Sequence, residues 1–223
     1  MVTAPVAKQS EPSSWSSLTA GAQAHLWLKL LCNAGLGAWI GVFYFSPQRW
    51  PLFDAHAAPT LRLDEWVPFN PGWALIYQSV FVANTVAIWL AGQTRLVWRY
   101  TLVTAATYAA SAVVFWLYPT LSPRPEHVDS ALYSMLISAV DGTRNALPSL
   151  HAALGLLAAM QTAEILRRCR AGRLWRSLPW VWLAFMLYAT LATRQHRVLD
   201  LIAGMALARA MVLLYDALWP ENT

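Results

Sequence analysis

The stretch Thr193-Arg194-Gln195-His196-Arg197-Val198-Leu199-Asp200 decides how this chain folds. Apolar sequence runs almost unbroken from residue 177 to residue 218, about twice the roughly 20 residues that one membrane crossing needs. The polar cluster 193–197 interrupts that run and marks a turn, which divides it into helices over about 177–194 and 197–218. Four further stretches have spanning length, at about 25–45, 73–92, 96–118 and 148–166. The predicted fold is therefore all-α, an integral membrane bundle of six transmembrane helices over residues 23–223. The six-helix count rests on that one turn.

Composition agrees with lipid as the main solvent. Hydrophobic residues make up 57% of the chain and charged residues 12%, with 13 tryptophans. A soluble domain carries about 25% charged residues, and enrichment in Trp suits membrane interfaces. Residues 1–22 are rich in Ser, Ala, Pro and Gln without an apolar period, which predicts a disordered cytoplasmic tail. It lacks the cleavable apolar core of a signal peptide, so the first apolar segment is expected to stay as an anchor. Gly37 and Gly41 in that segment have the spacing of close helix packing. Cys32 and Cys169 are isolated and supply neither a metal site nor a disulfide framework. The formal charge of +5 resides in arginines whose spacing does not suggest nucleic acid.

Those cations set the orientation instead. With the N-terminus inside, Lys8, Lys29, Arg95, Arg99, Arg167, Arg168, Arg170, Arg173 and Arg176 fall on the cytoplasmic side. Arg49, Arg62, Arg124, Arg144, Arg194 and Arg197 fall outside. The bias is concentrated in the short loop after the fourth helix, where the positive-inside rule is strongest. Both termini are then cytoplasmic, and both histidine runs lie on the extracytoplasmic face. The outer segment 46–72 reads as a partly helical interfacial hairpin, and a short helix is expected near 130–140.

The chemistry resides in two runs at that face. In the first, Asp200 stands one turn beyond His196. Residues i and i+4 share a helix face, so the carboxylate can hold one ring nitrogen and leave the other as base or nucleophile. In the second, Asn145-Ala-Leu-Pro-Ser-Leu-His151, Pro148 and Ser149 open the fourth helix. Its free amides and dipole favour an anion, with the Ser149 hydroxyl and His151 beside it. Arg124, in Ser122-Pro-Arg-Pro125, adds a guanidinium fork suited to phosphate. Arg144, Arg194 and Arg197 are further candidates. Each run also has a plain structural reading: a capped helix, a paired buried carboxylate, a loop charge.

In these residues the chain resembles the type 2 phosphatidic acid phosphatase superfamily, over roughly residues 50 to 210. Its first motif matches Arg124-Pro125, its second Pro148-Ser149-Leu150-His151, and its third His196 with Asp200. The family's first-motif Lys falls on Leu117, its second-motif Gly on Leu150, and its third-motif Ser-Arg on Ala189-Thr190. These departures, and Leu63-Asp-Glu-Trp-Val-Pro-Phe-Asn-Pro-Gly-Trp73 before the second helix, are similar to the branch holding inositol phosphorylceramide synthase and its bacterial relatives. The resemblance implies a lipid phosphatase of a bacterial inner membrane, acting on a phospholipid or isoprenyl phosphate without metal or other cofactor. His196 would be the nucleophile forming a phosphohistidine, Asp200 its orienting carboxylate, and His151 the acid and base. Arg124 and Ser149 would bind phosphate, with Arg194 replacing the lost arginine.

Two alternatives remain at this stage. A head-group phosphotransferase would share the chemistry up to phosphohistidine, with an alcohol in place of water. A membrane haem protein would use His151 and His196 as axial ligands, and would show a Soret band. A transporter is the weaker reading, since Arg209 alone lies deep in a span, where it snorkels or pairs with Glu164.

Overall fold

The computed structural model describes residues 14–139 and 141–220, and these are predominantly helical. Helix α1 (Ser14–Gln23) precedes α2 (Leu26–Ile40), which continues through a π-helical segment, Gly41–Phe45, into α3 (Ser46–Arg49). The next connection carries a two-residue strand, β1 (His56–Ala57), and α4 (Arg62–Trp66). Helices α5 (Ala74–Trp89) and α6 (Thr94–Leu117) follow. A second connection holds β2 (Thr120–Leu121), α7 (Ala131–Tyr133) and a π-helical Ser134–Ser138. The chain ends in α8 (Leu150–Arg168), α9 (Arg173–Ala192) and α10 (Val198–Leu218).

All six apolar stretches form long helices, their ends displaced by a few residues. The turn at 193–197 is present, and Arg194 takes a left-handed backbone there, with φ 54°. Among the described residues, four segments are long and apolar enough to cross a membrane: Leu26–Arg49, Pro71–Trp89, Thr94–Leu117 and Val198–Leu218. α8 and α9 are of similar length but are not among these four. α8 packs against α5, α6, α9 and α10, so its side chains face protein more than lipid. Gln161, for example, is buried and donates to the Leu96 carbonyl at 3.2 Å. Where helices exchange lipid contacts for protein contacts, burial of apolar area gives little, and packing with satisfied polar groups holds them together. Gly155 serves that packing, since a Cβ there would strike the Met186 side chain of α9.

The tail expected to be disordered over 1–22 is helical from Ser14 onward; residues 1–13 lie outside the described residues. Leu18 is buried against the bundle, and Trp15 meets Trp175 edge-on at 4.8 Å. The Lys29 ammonium fixes this helix from within, donating to the carbonyls of Gly21 at 2.6 Å and Trp89 at 2.8 Å. One buried leucine in a Ser- and Thr-rich decapeptide leaves no readable period; tertiary docking makes this helix. The close contact expected at Gly37 and Gly41 is not made, for a Cβ at either would meet nothing within 4 Å. Cys32 and Cys169 are both free.

Candidate active site

Two helix starts meet at one end of the bundle. The Ser149 hydroxyl caps α8 by accepting from the Ala152 amide at 3.2 Å, so the helix begins at Leu150 and Pro148 lies just before it. The Ser149 amide donates to the Asp200 carbonyl at 2.9 Å, which ties the first turn of α8 to that of α10. A Cβ at Gly204 would collide with the Ser149 backbone. Glycine at that position is what allows α10 so close. The outcome is that the His151 and His196 rings stand 5.9 Å apart, centre to centre.

His196 is buried, with Nδ1 3.0 Å from the Ala146 carbonyl. A carbonyl only accepts, so Nδ1 carries the proton and Nε2 of the neutral ring keeps its lone pair. Thr120 of β2 holds that carbonyl in place: its backbone oxygen accepts from the Ala146 amide and its hydroxyl from the Leu147 amide. Asp200 is fully buried and lies 3.8 Å from the same Nδ1, beyond hydrogen-bond length. One of its oxygens accepts from the Arg197 amide at 2.7 Å, and the other has no partner among the described residues. The i, i+4 argument assumed that both residues are helical, whereas His196 precedes the helix. A backbone carbonyl makes the bond expected of Asp200, and the carboxylate stands behind it as a charge.

His151 is held from the other side. Its ring stacks on Tyr77 at 3.9 Å, and Nδ1 lies 3.1 Å from the Tyr77 hydroxyl. Tyr77 gives its single proton to Asp141 at 2.6 Å, while Tyr44 donates to the second Asp141 oxygen at 2.8 Å. Having spent its proton, the Tyr77 oxygen accepts from His151 Nδ1, which again leaves Nε2 with a lone pair. That Nε2 is buried and has no partner among the described residues. The Asp141–Tyr77–His151 chain escaped sequence reading. Its members lie far apart along the chain, and Tyr77 stands in an apolar helix where nothing marks it.

The two candidate phosphate arginines are placed differently. Arg124 reaches the turn before α10, with Nε on the Gln195 side-chain oxygen and its two terminal nitrogens on the Asp141 and Gly142 carbonyls. Three of its five N–H groups are thus used. Arg194 turns away toward the outer connection, where it donates to the Asp64 carbonyl at 2.8 Å and the Val67 carbonyl at 2.9 Å. Asp64, also missed in the sequence, is buried and accepts from the Val198 amide at 2.7 Å, so it seats the start of α10. Tyr133 completes this wall, donating to the Thr193 carbonyl at 3.0 Å and accepting from Gln195. Burial raises its phenol above the ordinary value, against the opposing Arg124 charge, which keeps it a donor.

Arg124-Pro125, Pro148 to His151, and His196 to Asp200 therefore come from three separate parts of the chain to one end of the bundle. A sequence profile of the PAP2 superfamily matches residues 48–214, a span that contains all of them. The chain belongs to the PAP2 superfamily. PAP2 superfamily membership supports phosphatase or phosphotransferase activity on phosphorylated lipids. Four helices of spanning length fit a membrane-embedded PAP2 protein. No curated protein and no solved structure matches the chain.

Proposed function

We propose that this protein is a six-span lipid phosphatase that hydrolyses a phosphomonoester or pyrophosphate through a phosphohistidine. The observation carrying this reading is the pair of imidazoles 5.9 Å apart, each anchored through Nδ1, with no partner on either Nε2 among the described residues. His196 Nε2 attacks phosphorus, and the bond to the leaving oxygen breaks as that oxygen takes a proton from protonated His151. Neutral His151 Nε2 then removes a proton from water, whose oxygen attacks the phosphohistidine and frees His196 and inorganic phosphate. Covalent catalysis divides one hard displacement into two easier ones. Asp200 stabilises the charge on His196, and the Tyr77 oxygen accepts from charged His151. Phosphoryl transfer depends on positioning and on neutralising the equatorial oxygens. The two unspent Arg124 donors, the Ser149 hydroxyl proton and the first amides of α8 supply that. Arg194 acts as a positioning residue for the turn.

Water is favoured as acceptor because it needs no seat of its own, whereas an alcohol must be held in place and water excluded. The concentration of cations at the opposite end of the bundle supports cytoplasmic termini and an extracytoplasmic site in a bacterial inner membrane. Cysteine labelling tests this: an impermeant thiol reagent should modify a cysteine at position 127 in intact cells and spare one at 172, and the reverse pattern would invert the orientation. For the chemistry, purified enzyme is given phospholipids and isoprenyl phosphates, with free phosphate and lipid products measured. Release of phosphate, abolished in a folded His196→Ala variant, is the expected result. Near wild-type turnover in that variant would refute the mechanism, and a new phospholipid without free phosphate would make the enzyme a head-group transferase.

A further inference from the structure

A large cavity lies far from the histidines. It has a volume of about 920 Å³ and opens between the N-terminal parts of α6 and α9 and the C-terminal parts of α8 and α10. Glu164, on its wall, is thirteen residues along α8 from His151, or roughly 20 Å. Five arginines line it against two carboxylates, Glu164 and Asp216. Both carboxylates are taken. Glu164 binds Arg167 at 2.7 Å and Arg168 at 2.6 Å, and Asp216 holds Arg99 in a two-pronged pair at 2.9 and 2.8 Å. Of the two readings of Arg209, snorkelling or pairing with Glu164, the pairing is not made.

Arg176 and Arg209 have no side-chain hydrogen bond or ion pair among the described residues, and both line the cavity. Arg209 lies nine residues from the end of α10, inside a segment apolar enough to span, so roughly 14 Å from the helix terminus. A charge at that depth needs a counter-charge or a polar path. Apart from Gln161, whose amide is spent on the Leu96 carbonyl, the remaining walls are apolar, with Leu156, Met160 and Trp180 among them. Two unmatched guanidiniums above a greasy wall, on the side where cations concentrate, have the chemistry of a pocket for a phosphate with acyl chains.

We infer that this cavity binds the phosphate headgroup of an anionic membrane lipid, at a site separate from the histidine pair. Arg176 and Arg209 take the phosphate oxygens, and the acyl chains lie along the apolar wall. The test is thermal unfolding of the full chain in neutral detergent during titration with phosphatidylglycerol, phosphatidylcholine or soluble glycerol phosphate. Phosphatidylglycerol should raise Tm saturably, and phosphatidylcholine should not. Arg176→Gln/Arg209→Gln should weaken the apparent affinity about 10-fold or more, with Arg209→Lys retaining most of it and Arg124→Gln, at the catalytic end, responding as wild type. Should the double variant fail to fold, the two single variants decide. An undiminished response in those variants, or equal responses to the two lipids, overturns the site. A response lost only in Arg124→Gln would move binding to the catalytic end. Full response to glycerol phosphate alone would make the ligand a soluble phosphate and overturn the lipid assignment. The readout needs no turnover, so it stands independently of the proposed hydrolysis.

Discussion

Replacing Tyr77 by Phe removes one oxygen and leaves the aromatic ring that stacks on His151. Two groups then lose a partner: the Asp141 oxygen that accepted at 2.6 Å and His151 Nδ1, which donated at 3.1 Å. A buried polar group left unsatisfied costs about 1–3 kcal/mol. Tyr44 still holds the second Asp141 oxygen, so the total stays near the lower part of that range for each group. If about 2–3 kcal/mol of it falls on the step in which His151 carries positive charge, kcat drops about 30- to 150-fold. Substrate binding does not use this hydroxyl, so KM should change little. The assay is phosphate release from an alkyl phosphate and from p-nitrophenyl phosphate, with unfolding followed in parallel. Because p-nitrophenolate leaves without a proton, its cleavage should suffer less. A merely structural tyrosine would depress both substrates equally. A folded Tyr77→Phe protein with alkyl phosphate turnover within about threefold of wild type would show that the Asp141–Tyr77 chain does not serve His151.

Two further outcomes follow from the geometry of the turn. Arg124→Lys keeps the charge but cannot reach Gln195, Asp141 and Gly142 together, so kcat/KM should fall about 10-fold or more, whereas Arg194→Ala should mainly lower Tm through loss of the Asp64 and Val67 contacts. The reverse, a tolerant Arg124 beside an intolerant Arg194, would place the phosphate against the outer connection. Gly204→Ala forces a methyl group into the Ser149 backbone, which separates α8 from α10. Overpacking of this kind costs about 1–3 kcal/mol, and kcat should fall more steeply than stability, while unchanged kcat would mean that the helix starts need not touch.

What the sequence by itself determined follows from local physics. Hydropathy over about 20 residues and a polar interruption at 193–197 were enough for the long helices and the turn between α9 and α10. Each depends only on neighbours along the chain and on the solvent around them. His151, His196, Asp200 and Arg124 stood out because their residue types and spacings are unusual in apolar surroundings, and the structure brings them to one end of the bundle. The tertiary structure decided the partners. It gave His196 the Ala146 carbonyl in place of Asp200, gave His151 a tyrosine and a carboxylate from two other elements, and turned Arg194 away toward Asp64 and Val67. It also folded Ser14–Gln23 into a docked helix and left Arg176 and Arg209 facing a cavity. A hydrogen-bond partner contributed by a distant segment leaves no period or spacing in the sequence, because the bond depends on how helices pack, and packing is a property of the whole bundle.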